Sequence, residues 1–202
     1  EPDGGIDEVI TGVDWVLGDD NIEELTGVGT GGIVLGGNAI DNVLTGNGAN
    51  NYLFGHDGND TVDGGAGWDI CSFALPAGTQ GELRAVQGDG GIVRVQLVDA
   101  NGASRDVFSL TPSGLGSATV TGLDVVASLG TDTMSQVEEL HFYVDQSEGG
   151  NQFIGLLLTP RAEDSHVEGS VHSGTLDVLD FYPGAGAGVT INVDGSFGDD
   201  II

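Results

Sequence analysis

The chain has 202 residues and sets 32 acidic side chains against only four arginines and no lysine, for a formal net charge of −28. So acidic a surface excludes nucleic acid and an anionic bilayer as partners, because both need a basic face. The single cysteine, Cys71, excludes an intrachain disulfide, and no apolar run reaches the roughly 18 residues of a membrane span, so membrane insertion is not expected.

Residues 1–36 read as short strands. Val13, Trp15 and Leu17 alternate in GVDWVLG, and GGIVL follows a glycine-rich turn. From Gly37 the text falls into nines: GNAIDNVLT, GNGANNYLF, GHDGNDTVD and GGAGWDICS, each opened by Gly and each with an apolar residue, Leu44, Leu53, Val62 or Cys71, in eighth place. A nine-residue period predicts a solenoid, in which a unit buries its apolar side chain only by stacking on its neighbours. Glycine in first and often fourth place is expected to supply the positive-φ backbone of a tight turn. That leaves three residues for a strand, a length that survives only inside a stack.

The sixth places hold Asn42, Asn51, Asp60 and Asp69, so oxygen-bearing side chains recur on the turn side of successive coils. Oxygen donors without cysteine or histidine at ligand spacing suit calcium and suit zinc poorly. If the turns alternate between two sides, Asn42 faces Asp60 and Asn51 faces Asp69. Asp7, two residues before Val9, has the same phase and is placed in an earlier turn.

Beyond Phe73 the strands lengthen. GIVRVQLVDANGASRDVFSL (91–110) predicts a hairpin around Asn101-Gly102, and SATVTGLDVVASLG, EELHFYVD and NQFIGLLLTP read as further strands. TMSQVEEL (133–140) alone has a helical spacing, Met134, Val137 and Leu140, for a single turn. A longer repeat relates DICSFALPAGTQGELRAV from Asp69 to DVLDFYPGAGAGVTINV from Asp177. The expected class is therefore all-β: a parallel β-roll over 1–72, a hairpin- or sandwich-like β-rich domain over 73–160, and the start of a second repeat unit over 161–202.

These nonads resemble the G-G-x-G-x-D-x-U-x repeats of the RTX (repeats-in-toxin, hemolysin-type) calcium-binding proteins. DGGIDEVITGVDWVLGDDNIEELTG (3–27) and GTDTMSQVEELHF (130–142) resemble a longer RTX repeat and an RTX connector. The resemblance implies a β-roll holding Ca2+ between turns. Its ligands would be the side chains of Asn42, Asn51, Asp60 and Asp69, with Asp57 and Asp7, and the carbonyls of loops built on Gly37, Gly46, Gly55, Gly58 and Gly64. It also implies a bacterial protein exported by type I secretion. Two sixth places depart from the family pattern by carrying Asn, so each facing pair holds one carboxylate, and affinities of roughly 10⁻⁴ to 10⁻³ M are expected.

No catalytic constellation stands out. GVGTGG satisfies G-x-G-x-x-G at Gly27, Gly29 and Gly32, but a strand rather than a helix follows it. The four histidines are isolated, and Cys71 fills a core place. The expected function is a non-enzymatic, calcium-binding structural protein of the bacterial surface or extracellular matrix, such as a surface layer, fibre or adhesin, that folds and self-associates with calcium. The alternative is the C-terminal folding and secretion module of a secreted protease, lipase or epimerase. A third reading makes 73–160 a carbohydrate-binding domain with Trp68 or Tyr143 as a stacking platform.

Overall fold

Strands of two to five residues alternate between two sheets, as the nine-residue period requires. In the computed structural model the residues described are 5–18, 21–144, 152–158 and 176–180. β1 (Glu8–Thr11), β3 (Glu24–Gly27), β5 (Val43–Thr45) and β7 (Thr61–Asp63) pair in parallel in one sheet. β2 (Trp15–Val16), β4 (Val34–Gly36), β6 (Tyr52–Phe54) and β8 (Ile70–Ala74) do the same in the other. Each coil thus gives one strand to each face of a parallel β-roll.

The eighth-place residues stack in register. Leu25, Leu44 and Val62 align on one face and Leu35, Leu53 and Cys71 on the other, all buried. Each side chain covers the one below it, which is how a three-residue strand comes to be stable. Cys71 serves as a small hydrophobe there, and burial pushes its thiol well above the ordinary range. At the first coil the expected alternation does not bury Val13 and Trp15. Trp15 shares the register of Leu35 yet remains 48% exposed, because no coil among the described residues lies beyond it.

After β8 the chain leaves the roll as an antiparallel meander. It comprises β9 (Glu82–Gln87), β10 (Val93–Val98), β11 (Ser104–Gly114) and β12 (Ser117–Gly122), followed by a 3-10 segment at Asp124–Leu129. The expected hairpin is β10–β11. Asp99 Oδ1 accepts from the amides of Asn101 and Ala103 at 2.8 and 2.9 Å, and Gly102 takes φ 79°. The chain then returns. β13 (Thr131–Ser135) pairs in parallel with β7, and β14 (Glu139–Val144) in parallel with β8, as a fifth coil.

Two expectations are corrected here. The region 73–160 is not a separate β domain, since its residues 131–144 complete the roll and β12 pairs directly with β13, making one nine-stranded sheet. TMSQVEEL is strand, turn and strand rather than a helical turn. Met134 aligns with Val62 and Leu140 with Cys71, and Val137 is buried at the corner between them. A chain turning a tight corner around a core mimics helical spacing.

Phe108 of the meander packs on Phe73 and Phe142 of the roll, at ring distances of 5.8 and 4.9 Å, so meander and roll share a core. β15 (Gln152–Leu157) runs antiparallel to β14, and β16 (Leu176–Asp180) runs parallel to β15. Apart from β16, the expected second unit at 161–202 lies outside the described residues. Among the described residues no helix is long and apolar enough to cross a membrane.

Leu53 is fully buried between Leu35 and Cys71. Leu53→Ala is expected to cost about 2–5 kcal/mol, read as a lower denaturation midpoint in calcium, whereas Val43→Ala on the exposed face of β5 shifts it little.

Candidate metal centre

The turns preceding each strand carry a ladder of side-chain oxygens. Asn42 N donates to Asp60 Oδ1 at 2.8 Å, and Asn51 N to Asp69 Oδ1 at 2.7 Å, each across 18 residues. The two facing pairs expected from the sequence are therefore formed. Asn51 Nδ2 adds bonds to Asp69 Oδ1 at 2.8 Å and to the Gly64 carbonyl at 3.2 Å. Asn42 Nδ2 donates to Ile22 O at 2.9 Å, while its Oδ1 accepts from Asn38 N at 2.7 Å.

Asp7 takes its expected place at the start of this ladder, with its amide donating to Glu23 Oε2 at 2.9 Å. Glu23 was not foreseen, nor were two residues of the fifth coil. Asp60 N donates to Asp132 Oδ1 at 2.8 Å, and Asp69 N to Glu138 Oε2 at 2.7 Å. A signal for Asp132 was present, since Gly58-Asn59-Asp60-Thr61-Val62 and Gly130-Thr131-Asp132-Thr133-Met134 share one pattern. Asp57 is turned toward the insertion, where its Oδ1 accepts from Ser128 Oγ at 2.9 Å, and it reaches Asp60 through its charge.

The first-place glycines serve a purpose other than the one expected. Gly37, Gly46, Gly55 and Gly64 are buried without positive φ. A β-carbon on any of them would overlap its surroundings: the Gly55 carbonyl at Gly37, the Gly64 carbonyl at Gly46, Asp60 Oδ2 at Gly55, and the Gln136 carbonyl at Gly64. Close approach of oxygen excludes a side chain. Positive φ belongs instead to the fourth place, where Gly58 sits at 121°.

Three buried oxygens of the ladder have no hydrogen-bond partner: Asn51 Oδ1, Asp60 Oδ2 and Asp69 Oδ2. Orphaned buried acceptors are costly, and hard oxygens facing glycine-lined carbonyls fit a calcium ion. No group of three or more His, Cys, Asp or Glu side chains converges among the described residues. One or two carboxylates per level are present, and the Gly55 and Gly64 carbonyls lie close beside Gly37 and Gly46 in the same turns. The carboxylates also repel protons less than usual. Burial, the largest cause, raises Asp60 to about 7, Asp69 to about 6 and Asp132 to about 8, with neighbouring acids adding to each.

A family model for the RTX calcium-binding nonapeptide repeat matches residues 36–71 in four copies. The chain carries RTX calcium-binding repeats. The match covers less than a fifth of its 202 residues, and no curated protein or solved structure matches it. The matched family is one of calcium-binding repeats, and the matched residues include Asn42, Asn51, Asp60 and Asp69 of the ladder.

Elsewhere, Trp68 is half buried and its Nε1 donates to Glu139 Oε2 at 3.2 Å, a packing arrangement rather than an exposed platform. Tyr143 lines a cleft of about 380 Å³ with Phe54, His56, Asp57, Ser128 and Asp132.

The raised carboxyl groups set a pH dependence. Each binds protons in the cation-free fold at pH values where the unfolded chain has released them, so their stabilising share is full below about pH 4 and is lost as pH rises through 6 to 8. In EDTA the chain is expected to melt higher at pH 5 than at pH 8, and calcium should raise the melting temperature more at pH 8, as scanning calorimetry would read.

Proposed function

We propose that this is a secreted, calcium-binding structural protein of the bacterial cell surface or extracellular matrix, folded and locked by calcium once outside the cell and catalysing no reaction of its own. The observation that carries the reading is the pair of buried carboxylate oxygens, Asp60 Oδ2 and Asp69 Oδ2, left without protein partners in the RTX ladder. A fold that buries such groups is penalised until a cation arrives, so cation binding energy becomes folding energy. With a net charge of −28 the chain also repels itself when compact. Such a chain is least stable where calcium is scarce and tightens where it is plentiful, which suits export by type I secretion.

Self-association is the second part of the reading. Ile6, Ile10, Val13, Trp15 and Val16 are exposed around the first coil, and β1 and β2 are the outer strands of their sheets among the described residues. An open strand edge with apolar neighbours is a surface on which a further β-strand can pair.

Light scattering during a calcium titration tests both parts. The expected trace is a fall in hydrodynamic size followed by growth, with the fall shifted at least tenfold toward higher calcium in Asp60→Asn. A fall with no growth would leave a folding and secretion module for a partner domain, and no response to calcium would end the reading.

A further inference from the structure

The carboxylates of the ladder are unevenly distributed. Between the third and fourth coils each facing pair holds one, Asn42 with Asp60 and Asn51 with Asp69. Between the fourth and fifth coils each holds two, Asp60 with Asp132 and Asp69 with Glu138. The doubly acidic levels lie where the chain rejoins the roll after the insertion, across 72 residues on one side and 69 on the other.

The rejoining coil reproduces the nonad geometry in detail. Thr133 N donates to Asp60 O at 2.8 Å, as Thr61 N does to Asn42 O at 2.8 Å. Gly130 packs against the Gly58 carbonyl, and Gly64 against that of Gln136. Thr131 N donates to Asn59 Oδ1 at 3.0 Å. Asp60, Asp69 and Asp132 are 1%, 0% and 3% exposed, and the second oxygens of Asp60 and Asp69 are unpartnered. Asp60 and Asp132 are both buried on neighbouring levels and repel each other, while the half-buried Glu138 brings a second negative charge to the level of Asp69.

We propose that calcium also binds at split sites, formed by Asp60 with Asp132 and by Asp69 with Glu138, and so clamps the 73–130 insertion onto the roll. This deepens the calcium reading above and rests on it. No nonad supplies Asp132 or Glu138, so these sites exist only once the insertion has closed. With two carboxylates each, they bind calcium more tightly than the Asn-containing levels. Calcium thus acts on the insertion although the meander itself contributes no ligand.

The sequence provides a clean probe, because trypsin can cut only at Arg84, Arg94, Arg105 and Arg161, and the first three lie in the insertion. The full chain is digested with and without calcium, as wild type, Asp132→Asn with Glu138→Gln, and Asp89→Asn as an exposed control in the insertion. Asn already occupies the equivalent place at Asn42 and Asn51, so the ladder accepts an amide there, and far-UV circular dichroism in calcium verifies the fold. Calorimetric titration with calcium alone counts ions for each protein.

Wild type and Asp89→Asn are expected to show at least tenfold slower cleavage at Arg84, Arg94 and Arg105 in calcium. The double variant should lose most of that protection and bind fewer ions while its remaining sites still titrate. Wild-type stoichiometry and protection in the double variant would overturn the split sites and leave the nonad reading intact. No calcium binding by wild type would overturn both.

Discussion

A backbone amide on one coil donating to a carboxylate on the next is the interaction on which the rest depends. It sets the spacing of the turns, holds Asp60 and Asp69 out of water, and uses only one oxygen of each. An ionised carboxylate so placed is costly unless its charge is met. Protons meet it in acid, and near neutrality a bound cation would have to. Glycine at the first place follows from the same interaction, since any side chain at Gly55 would occupy the space of Asp60 Oδ2.

The apolar stack and the polar ladder have opposite demands on the same short repeat. Three-residue strands offer one inward side chain each, so the roll alone has a narrow core of Leu25, Leu44 and Val62 against Leu35, Leu53 and Cys71. The insertion broadens it. Phe108 joins Phe73 and Phe142 in an aromatic cluster, and Val93, Val95, Val107 and Leu110 extend the buried surface. Apolar stability is thereby concentrated beside the coils where carboxylates crowd most closely.

The roll and half of its ladder were legible because a strict period converts sequence distance into spatial contact. Leu44 and Val62, or Asn42 and Asp60, sit 18 residues apart in the text and one level apart in space. The fifth coil was not legible as such, because the insertion removes the period and Asp132 pairs over 72 residues. Its local pattern, Asp132-Thr133-Met134, repeats Asp60-Thr61-Val62, but the helical spacing of Met134, Val137 and Leu140 masked it. Trp15 shows a different limit: register alone does not bury a residue when no neighbour among the described residues covers its level.

The jump between the fourth and fifth coils also bears on how the chain reaches its fold. Closing a contact over 72 residues instead of 18 doubles the loop length twice, which costs only about 1.2 kcal/mol in chain entropy. Kinetically the difference is larger, because pairing over 18 residues is available to any nonad that has a neighbour, whereas β13 must await a finished meander. A polypeptide threading out of a cell with its N-terminus or its C-terminus first would therefore assemble these parts in different orders. With the meander first, the fifth coil would be ready as the nonads appear; with the nonads first, four coils would wait on β7 and β8 with open edges.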